Sequence, residues 1–160
     1  MLLYPIDGAM HTMIIKRPSY GGIHSGQLAL PGGKREGNEE PIQTAIRETM
    51  EEVGVRVSEM DVIGKLTELY IPPSNFLVHP FVAWLKEKPL YVLDEREVDK
   101  LLEVPLTTFL DEQLKTRRRI HIGVNTYIDA PCYAIGEETL WGATAMIFAE
   151  FEAVIRAFII

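Results

Sequence analysis

The stretch from Pro41 to Val53 constrains the fold more than any other part of the sequence. Its apolar residues recur at the i, i+3, i+4 spacing of an amphipathic helix, and they are Ile42, Ala45, Ile46, Thr49 (by its methyl group), Met50 and Val53. Proline in the first turn and Gly54 just beyond the last turn are the usual start and stop signals. The sequence therefore predicts a helix over residues 41–53 with one face packed on a core.

Three glutamates crowd the C-terminal end of this predicted helix. Glu48 and Glu52 lie one turn apart and point the same way, and Glu51 lies beside them, away from the apolar stripe. Like charges one turn apart cost roughly 0.2–0.5 kcal/mol per pair, and the helix dipole disfavours anions at this end. A divalent cation would remove both costs, and oxygen ligands without thiolates favour Mg²⁺ or Mn²⁺. The alternative is a solvated acidic face, which many helices carry.

The rest of the chain predicts a mixed α+β fold class. Strand patterns occur at residues 2–4, 11–16, 27–30, 62–70, 76–85, 120–122 and 127–135. Two further helices are predicted at 95–110, interrupted at Pro105, and at 139–158. Strands and helices do not alternate regularly, which argues against a doubly wound sheet. The length of 160 residues fits a single domain, 1–160.

Composition excludes several classes of function. The 16 basic and 23 acidic residues give a net charge of -7, so we expect no nucleic-acid partner. No apolar run reaches the roughly 20 residues of a membrane span, so we expect no membrane association. A single cysteine, Cys132, and no secretory signal favour a cytoplasmic location. The apolar ends fit either a homo-oligomer or a domain of a longer protein.

The residues around the predicted helix carry a very specific motif. Counting from Gly33, the sequence has five residues, Glu39, seven residues, Arg47-Glu48, two residues, Glu51-Glu52, one residue, and Gly54 before an aliphatic residue. This pattern resembles the signature of the Nudix hydrolases, the Nudix box, over residues 33–55. Its one departure is Thr49, where an aliphatic residue is usual; that position packs and does not bind metal.

The resemblance implies an α/β/α sandwich with a mixed β-sheet and hydrolysis of a diphosphate joined to another group. It implies that Glu48 and Glu52 are the principal metal ligands, that Glu51 assists, and that the carbonyl of Gly32 or Gly33 adds a ligand. It also implies catalytic roles for Glu52, Glu51 and Arg47. Arg47 pairs with box carboxylates, including Glu39, and so holds the loop, whereas Glu39 and Gly54 are structural. The general base is left open among Glu52, Glu51 and Glu97.

A second resemblance lies upstream. Ile14-Ile15-Lys16-Arg17, then His24-Ser25-Gly26-Gln27 and Pro31-Gly32-Gly33, is similar to the motif of the coenzyme A pyrophosphatase branch. It implies a small-molecule substrate, coenzyme A or acyl-CoA, contacted by Arg17, His24, Gln27 and Gly33. Gly21-Gly22 stands where the branch usually has Leu-Arg, and Leu30 replaces a common Phe. The basic run 115–119 either replaces the missing charge or forms a solvated turn.

Two other functions fit the same motif. One is the same chemistry on another nucleoside diphosphate compound, such as ADP-ribose, or on a nucleoside triphosphate. The other is a Nudix domain without activity that binds a nucleotide as a sensor. The complete set of Glu48, Glu51 and Glu52 argues against the sensor, because a pure binding module has no need of clustered negative charge facing a phosphate.

Overall fold

The computed structural model describes residues 1–19, 26–123 and 126–159, with residue 159 described by its backbone alone. The α-helices in these ranges are α1 (Pro41–Val53), α2 (Thr107–Leu110) and α3 (Gly142–Ile159). The strands are β1 (Leu2–Ile6), β2 (Ala9–Lys16), β3 (Leu28–Ala29), β4 (Val62–Lys65), β5 (Leu69–Ile71), β6 (Phe76–Val78), β7 (Phe81–Trp84), β8 (Lys100–Pro105), β9 (Lys115–Gly123), β10 (Thr126–Ile135) and β11 (Glu138–Trp141). The predicted α+β class is confirmed.

A mixed six-stranded sheet forms the centre of the fold. Its strands run in the order β3-β2-β1-β7-β4, and β8 pairs with β2. The β1–β7 pair is parallel, and the other pairs are antiparallel. Strands β9, β10 and β11 form a second sheet, and β5 and β6 form a separate hairpin.

Side-chain alternation along β2 places the two long helices on opposite faces of the central sheet. Met13 and Ile15 belong to the buried cluster that contains Val53, the last residue of α1. Ile14 points the other way, into the cluster that contains Phe148 of α3. The sheet is therefore the middle layer between α1 and α3. No helix in the described ranges is both long enough and apolar enough to cross a membrane.

The predicted helix at 95–110 is wrong over most of its length. Residues 100–105 form strand β8, which pairs antiparallel with six residues of β2, and only Thr107–Leu110 is helical. The predicted strands 62–70 and 76–85 are each divided in two, and the start of the predicted 139–158 helix is strand β11. In each case pairing with a distant strand decides the conformation, which local spacing does not reveal.

Helix α1 has the predicted bounds, but its predicted apolar face is buried only in part, at Thr49 and Val53. Gly54 adopts a left-handed conformation with φ of 72° and ends the helix by donating its N–H to the Met50 carbonyl. The buried side chains of α1 are Thr44, Thr49, Glu52 and Val53, whereas Met50 is 42% exposed. Glu51 is exposed, on the face away from the apolar stripe as expected, whereas Glu52 is buried beside Val53.

Candidate metal and diphosphate site

The end of α1 meets the glycine turn at residues 32–33. The Gly32 N–H donates a hydrogen bond of 2.9 Å to Glu52 Oε2, and the Glu52 side chain is only 1% exposed. Glu48, one turn earlier, is 12% exposed and lies against Gly33. The turn and the helix thus enclose two carboxylates that the sequence predicts as metal ligands.

Gly33 is required by this close approach. A Cβ at Gly33 would lie 2.3 Å from Glu48 Oε1 and 2.6 Å from Glu48 Oε2. Any other residue would therefore displace the Glu48 carboxylate. Glycine at this position makes room for a predicted metal ligand, and its backbone does not need a left-handed conformation.

A third carboxylate comes from the segment between β7 and β8. The N–H groups of Val92 and Asp94 donate to the carbonyls of Val53 and Glu52 at 2.9 and 3.0 Å, so this segment lies along the C-terminal end of α1. A turn follows, in which the Glu97 N–H donates to the Asp94 carbonyl at 3.0 Å. Among the residues that the structure describes, Glu48, Glu52 and Glu97 each offer one oxygen within 4.8 Å of the others.

Arg47 connects the carboxylates of the box. Its Nε donates to Glu39 Oε1 at 2.8 Å, and one terminal nitrogen donates to both Glu48 Oε1 at 2.9 Å and Glu51 Oε2 at 2.7 Å. The other terminal nitrogen reaches the Lys34 carbonyl at 3.1 Å. The predicted contact between Arg47 and Glu39 is therefore present, and it ties the loop to the helix.

Glu51 differs from the other two glutamates of the helix. Its side chain is 57% exposed and is held by Arg47, whereas the group of three converging carboxylates contains Glu97 in its place. The sequence names Glu97 only as a candidate base. Its position beside the predicted metal ligands has no signal in the sequence, because it depends on how the segment before β8 pairs with the end of α1.

The electrostatics of the site favour a cation. Burial raises the pKa of the Glu52 carboxyl to about 7; the Gly32 N–H and Arg17 oppose this rise, and Glu48 and Glu97 add to it. In contrast, hydrogen bonds from Arg47, the Glu36 N–H and Thr44 lower the pKa of Glu39 to about 2. An oxygen-only group of carboxylates, of which one is buried and incompletely compensated, suits a hard divalent cation. The residues present therefore fit the metal that the Nudix resemblance implies.

The predicted substrate residues are partly in place. One terminal nitrogen of Arg17 donates to the Gly32 carbonyl at 3.3 Å and lies 3.8 Å from Glu52 Oε1. The Gln27 carbonyl accepts a 3.0 Å hydrogen bond from the Arg17 N–H, so both lie at the edge of the site. His24 and the Gly21-Gly22 pair lie outside the described residues.

The basic run 115–119 is not a turn but the first half of strand β9. Lys115 binds Glu112 and Glu152 at 2.8 and 2.6 Å. Arg117 lies 3.5 Å from Asp129, and Arg118 donates to the hydroxyl of Thr139 at 2.5 Å. These side chains thus already have partners within the protein, which disfavours the run as a source of charge for the substrate.

Comparisons with known proteins support the family resemblance. The NUDIX domain family matches residues 2–122. Nudix hydrolase 15, mitochondrial, of Arabidopsis thaliana is 33% identical over 147 residues, which are 88% of this chain and 51% of the plant protein. The Nudix hydrolase NudL of Yersinia enterocolitica is 34% identical over 137 residues, 84% of this chain and 69% of that protein.

The same fold is found in solved structures. The crystal structure of a MutT/nudix family protein from Enterococcus faecalis has a TM-score of 0.66 at 20% identity, covering 97% of this chain and 60% of that one. The predicted Nudix fold is thereby confirmed. The chain spans about half the length of several relatives, including the Arabidopsis protein. Since the family match covers most of the sequence, this chain belongs to the Nudix family.

Proposed function

We propose that this domain hydrolyses a diphosphate bond with the help of Mg²⁺ or Mn²⁺. The observation that carries the proposal is the convergence of Glu48, Glu52 and Glu97, one of them buried, at the glycine turn of the box. A group of acidic side chains facing an anionic substrate is unfavourable unless a cation lies between them. The proposal therefore joins the metal and the diphosphate in one site.

The residues have distinct roles in this proposal. Glu48 and Glu52 hold the cation, together with the Gly32 carbonyl. The chemistry that the cation supplies is charge neutralisation on the diphosphate, which favours attack by water and departure of an anion. Arg47 is a positioning residue, because it fixes Glu48 through a 2.9 Å hydrogen bond and reaches Glu39 on the loop.

We assign proton acceptance from the attacking water to Glu97. Glu97 is exposed, so it can return the proton to solvent, whereas Glu52 is 1% exposed and accepts the Gly32 N–H. Glu51 is the weaker candidate because its carboxylate is 2.7 Å from Arg47. Replacing Glu97 by Gln should lower kcat about 10²-fold or more, whereas E51Q should have a smaller effect. The reverse order of the two effects would assign the base to Glu51.

Coenzyme A or an acyl-CoA is the substrate that we propose. Hydrolysis by water breaks its P–O–P bond and gives 3',5'-ADP and 4'-phosphopantetheine. The upstream motif supports this choice, since its Arg17 contacts Gly32 beside the carboxylates and its Gln27 carbonyl accepts the Arg17 N–H. The competing proposal is ADP-ribose or a nucleoside triphosphate at the same centre.

One assay separates these substrates. Purified protein with Mg²⁺ or Mn²⁺ is offered coenzyme A, ADP-ribose and nucleoside triphosphates, and the products are resolved by chromatography. Turnover of coenzyme A alone supports the CoA assignment, and preferential turnover of another compound replaces it. Binding without turnover of any compound would favour the nucleotide sensor and would contradict a hydrolase.

The role of the carboxylates is tested by E52Q with E59Q as its matched control. Glu59 is an exposed glutamate at the start of a short 3-10 turn, so E59Q makes the same chemical change outside the site. We expect E52Q to lose turnover by orders of magnitude while its circular dichroism spectrum is unchanged. Near-native turnover of E52Q would show that the metal roles are wrong.

A further inference from the structure

Arg17 contacts two of the groups that are proposed to hold the cation. Its terminal nitrogen donates to the Gly32 carbonyl at 3.3 Å and lies 3.8 Å from Glu52 Oε1. The Glu52 side chain is 1% exposed, and the Arg17 side chain is 31% exposed. The guanidinium is therefore the more exposed partner of a buried carboxylate and carries the compensating positive charge.

The backbone around Arg17 is held on both sides, whereas its guanidinium is held by two longer contacts. The Arg17 N–H donates to the Gln27 carbonyl at 3.0 Å, and the Lys16 carbonyl accepts the Asp99 N–H at 2.9 Å. The guanidinium contacts described above are one long hydrogen bond and one ion pair without hydrogen-bond geometry. A change in local charge can thus move the guanidinium without moving the strand.

A cation on the Gly32 carbonyl and the Glu52 carboxylate would bring its two positive charges next to this guanidinium. Like charges at this separation repel, and each acceptor oxygen would be drawn to the cation. A diphosphate bound to the same cation would lie within reach of this guanidinium, because both would be next to Gly32 and Glu52. Guanidinium groups bind phosphate oxygens through paired N–H donors, which gives the displaced side chain a new partner.

We propose that Arg17 is an internal counter-ion that competes with the divalent cation for Gly32 and Glu52 and moves to the substrate when the cation binds. This inference rests on the proposed function for its metal and its diphosphate. It predicts an order of binding in which the cation precedes the diphosphate, because the cation releases the side chain that then binds the phosphate oxygens.

The test compares R17Q with K16Q in calorimetric titrations of EDTA-stripped protein with Mn²⁺. Lys16 is the matched control: it loses the same charge one residue away, but its ammonium binds Glu138 at 2.7 Å on the other side of the strand. Removing a competing charge should make R17Q bind Mn²⁺ about fivefold more tightly or better. K16Q should stay within about twofold of wild type. Equal or weaker binding by R17Q, or no binding by wild type, would overturn the proposal.

A measurement on the wild-type protein guards against misfolding of R17Q. Titration with Mg²⁺ should shift the Arg17 Nε–H resonance in ¹⁵N NMR spectra, assigned by its loss in R17K. With Mn²⁺ present, a non-hydrolysable diphosphate analogue should bind R17Q about tenfold more weakly than wild type. An unmoved Arg17 resonance during cation binding would refute the exchange of partners. Neither measurement requires turnover, so a protein that binds Mn²⁺ without hydrolysing any substrate would contradict the proposed function alone.

Discussion

Replacing Gly33 by alanine tests whether the glycine turn positions the Glu48 carboxylate. The new Cβ would lie 2.3 Å from Glu48 Oε1, and ordinary van der Waals contact begins at 3.4 Å. The carboxylate must therefore move by about 1 Å. The atoms in the way are the far end of a flexible side chain, so the fold can accept the substitution while the metal ligand cannot keep its place.

The expected loss follows from that displacement. A misplacement of about 1 Å at a reacting centre can cost about 10²-fold in rate, or about 2.7 kcal/mol of transition-state stabilisation. We expect G33A to lose about that factor in kcat/KM and to bind Mn²⁺ about tenfold more weakly. Its free energy of unfolding should stay within about 1 kcal/mol of wild type, because a Gly-to-Ala change also restricts the unfolded chain.

The assay uses G64A as the matched control. Gly64 lies in strand β4 with ordinary φ and nothing within 4 Å of an added Cβ, so G64A makes the same change in open space. Turnover, Mn²⁺ affinity by calorimetry and urea unfolding are measured for both variants. Wild-type Mn²⁺ affinity and turnover in G33A would refute the reasoning. So would a loss in G33A that G64A shares.

Two further variants, one with a control, test the frame around the site, and a third tests an ion pair of α3. R47K keeps one charge but cannot reach Glu39, Glu48 and Glu51 together, so kcat/KM should fall at least about tenfold and the unfolding free energy by about 1–2 kcal/mol; unchanged kinetics would exclude a positioning role. In G54A the new Cβ would lie 2.8 Å from the Val92 carbonyl oxygen, at a residue whose backbone is left-handed. Urea unfolding should therefore show a fall of more than about 2 kcal/mol in the free energy of unfolding. G37A is the control, because Gly37 also has a positive φ, of 52°, but open space around an added Cβ. Its free energy of unfolding should fall by about half as much or less. Equal losses in the two variants would contradict the role of the Val92 contact. Burial would raise the pKa of Glu152, but hydrogen bonds from Lys115 and Arg156 outweigh it and lower the pKa below 4.5. The folded state therefore gains stability above that pH and loses it as pH falls, so the stability of E152Q should decline less on acidification below pH 4.5. If the free energies of unfolding of E152Q and wild type fell equally as the pH is lowered, the stabilising role of this ion pair would be contradicted.

Local signals were sufficient for helix α1 and its ends. Pro41 fits the first turn, and Gly54 has the left-handed φ of 72° that ends the helix, so both bounds were correct from sequence alone. The helix predicted at 95–110 failed for the opposite reason. Residues 100–105 carry apolar side chains that fit either period, and their hydrogen bonds go to β2. Pairing with a strand so far away along the chain is not encoded in the spacing of neighbours.

The sequence by itself determined the family and the chemical character of the site, because the Nudix box is a contiguous run whose turn and helix form locally. Glu48, Glu52 and Arg47 lie within one helix, so their proximity follows from helical geometry. Only the tertiary structure decided that Glu52 is buried, that Glu97 joins it in place of Glu51, and that Arg17 lies against Gly32. These arrangements depend on which face of α1 packs and on where the segment before β8 lies along its end. Contacts between distant segments are chosen by burial and backbone pairing of the whole chain, which no local pattern records.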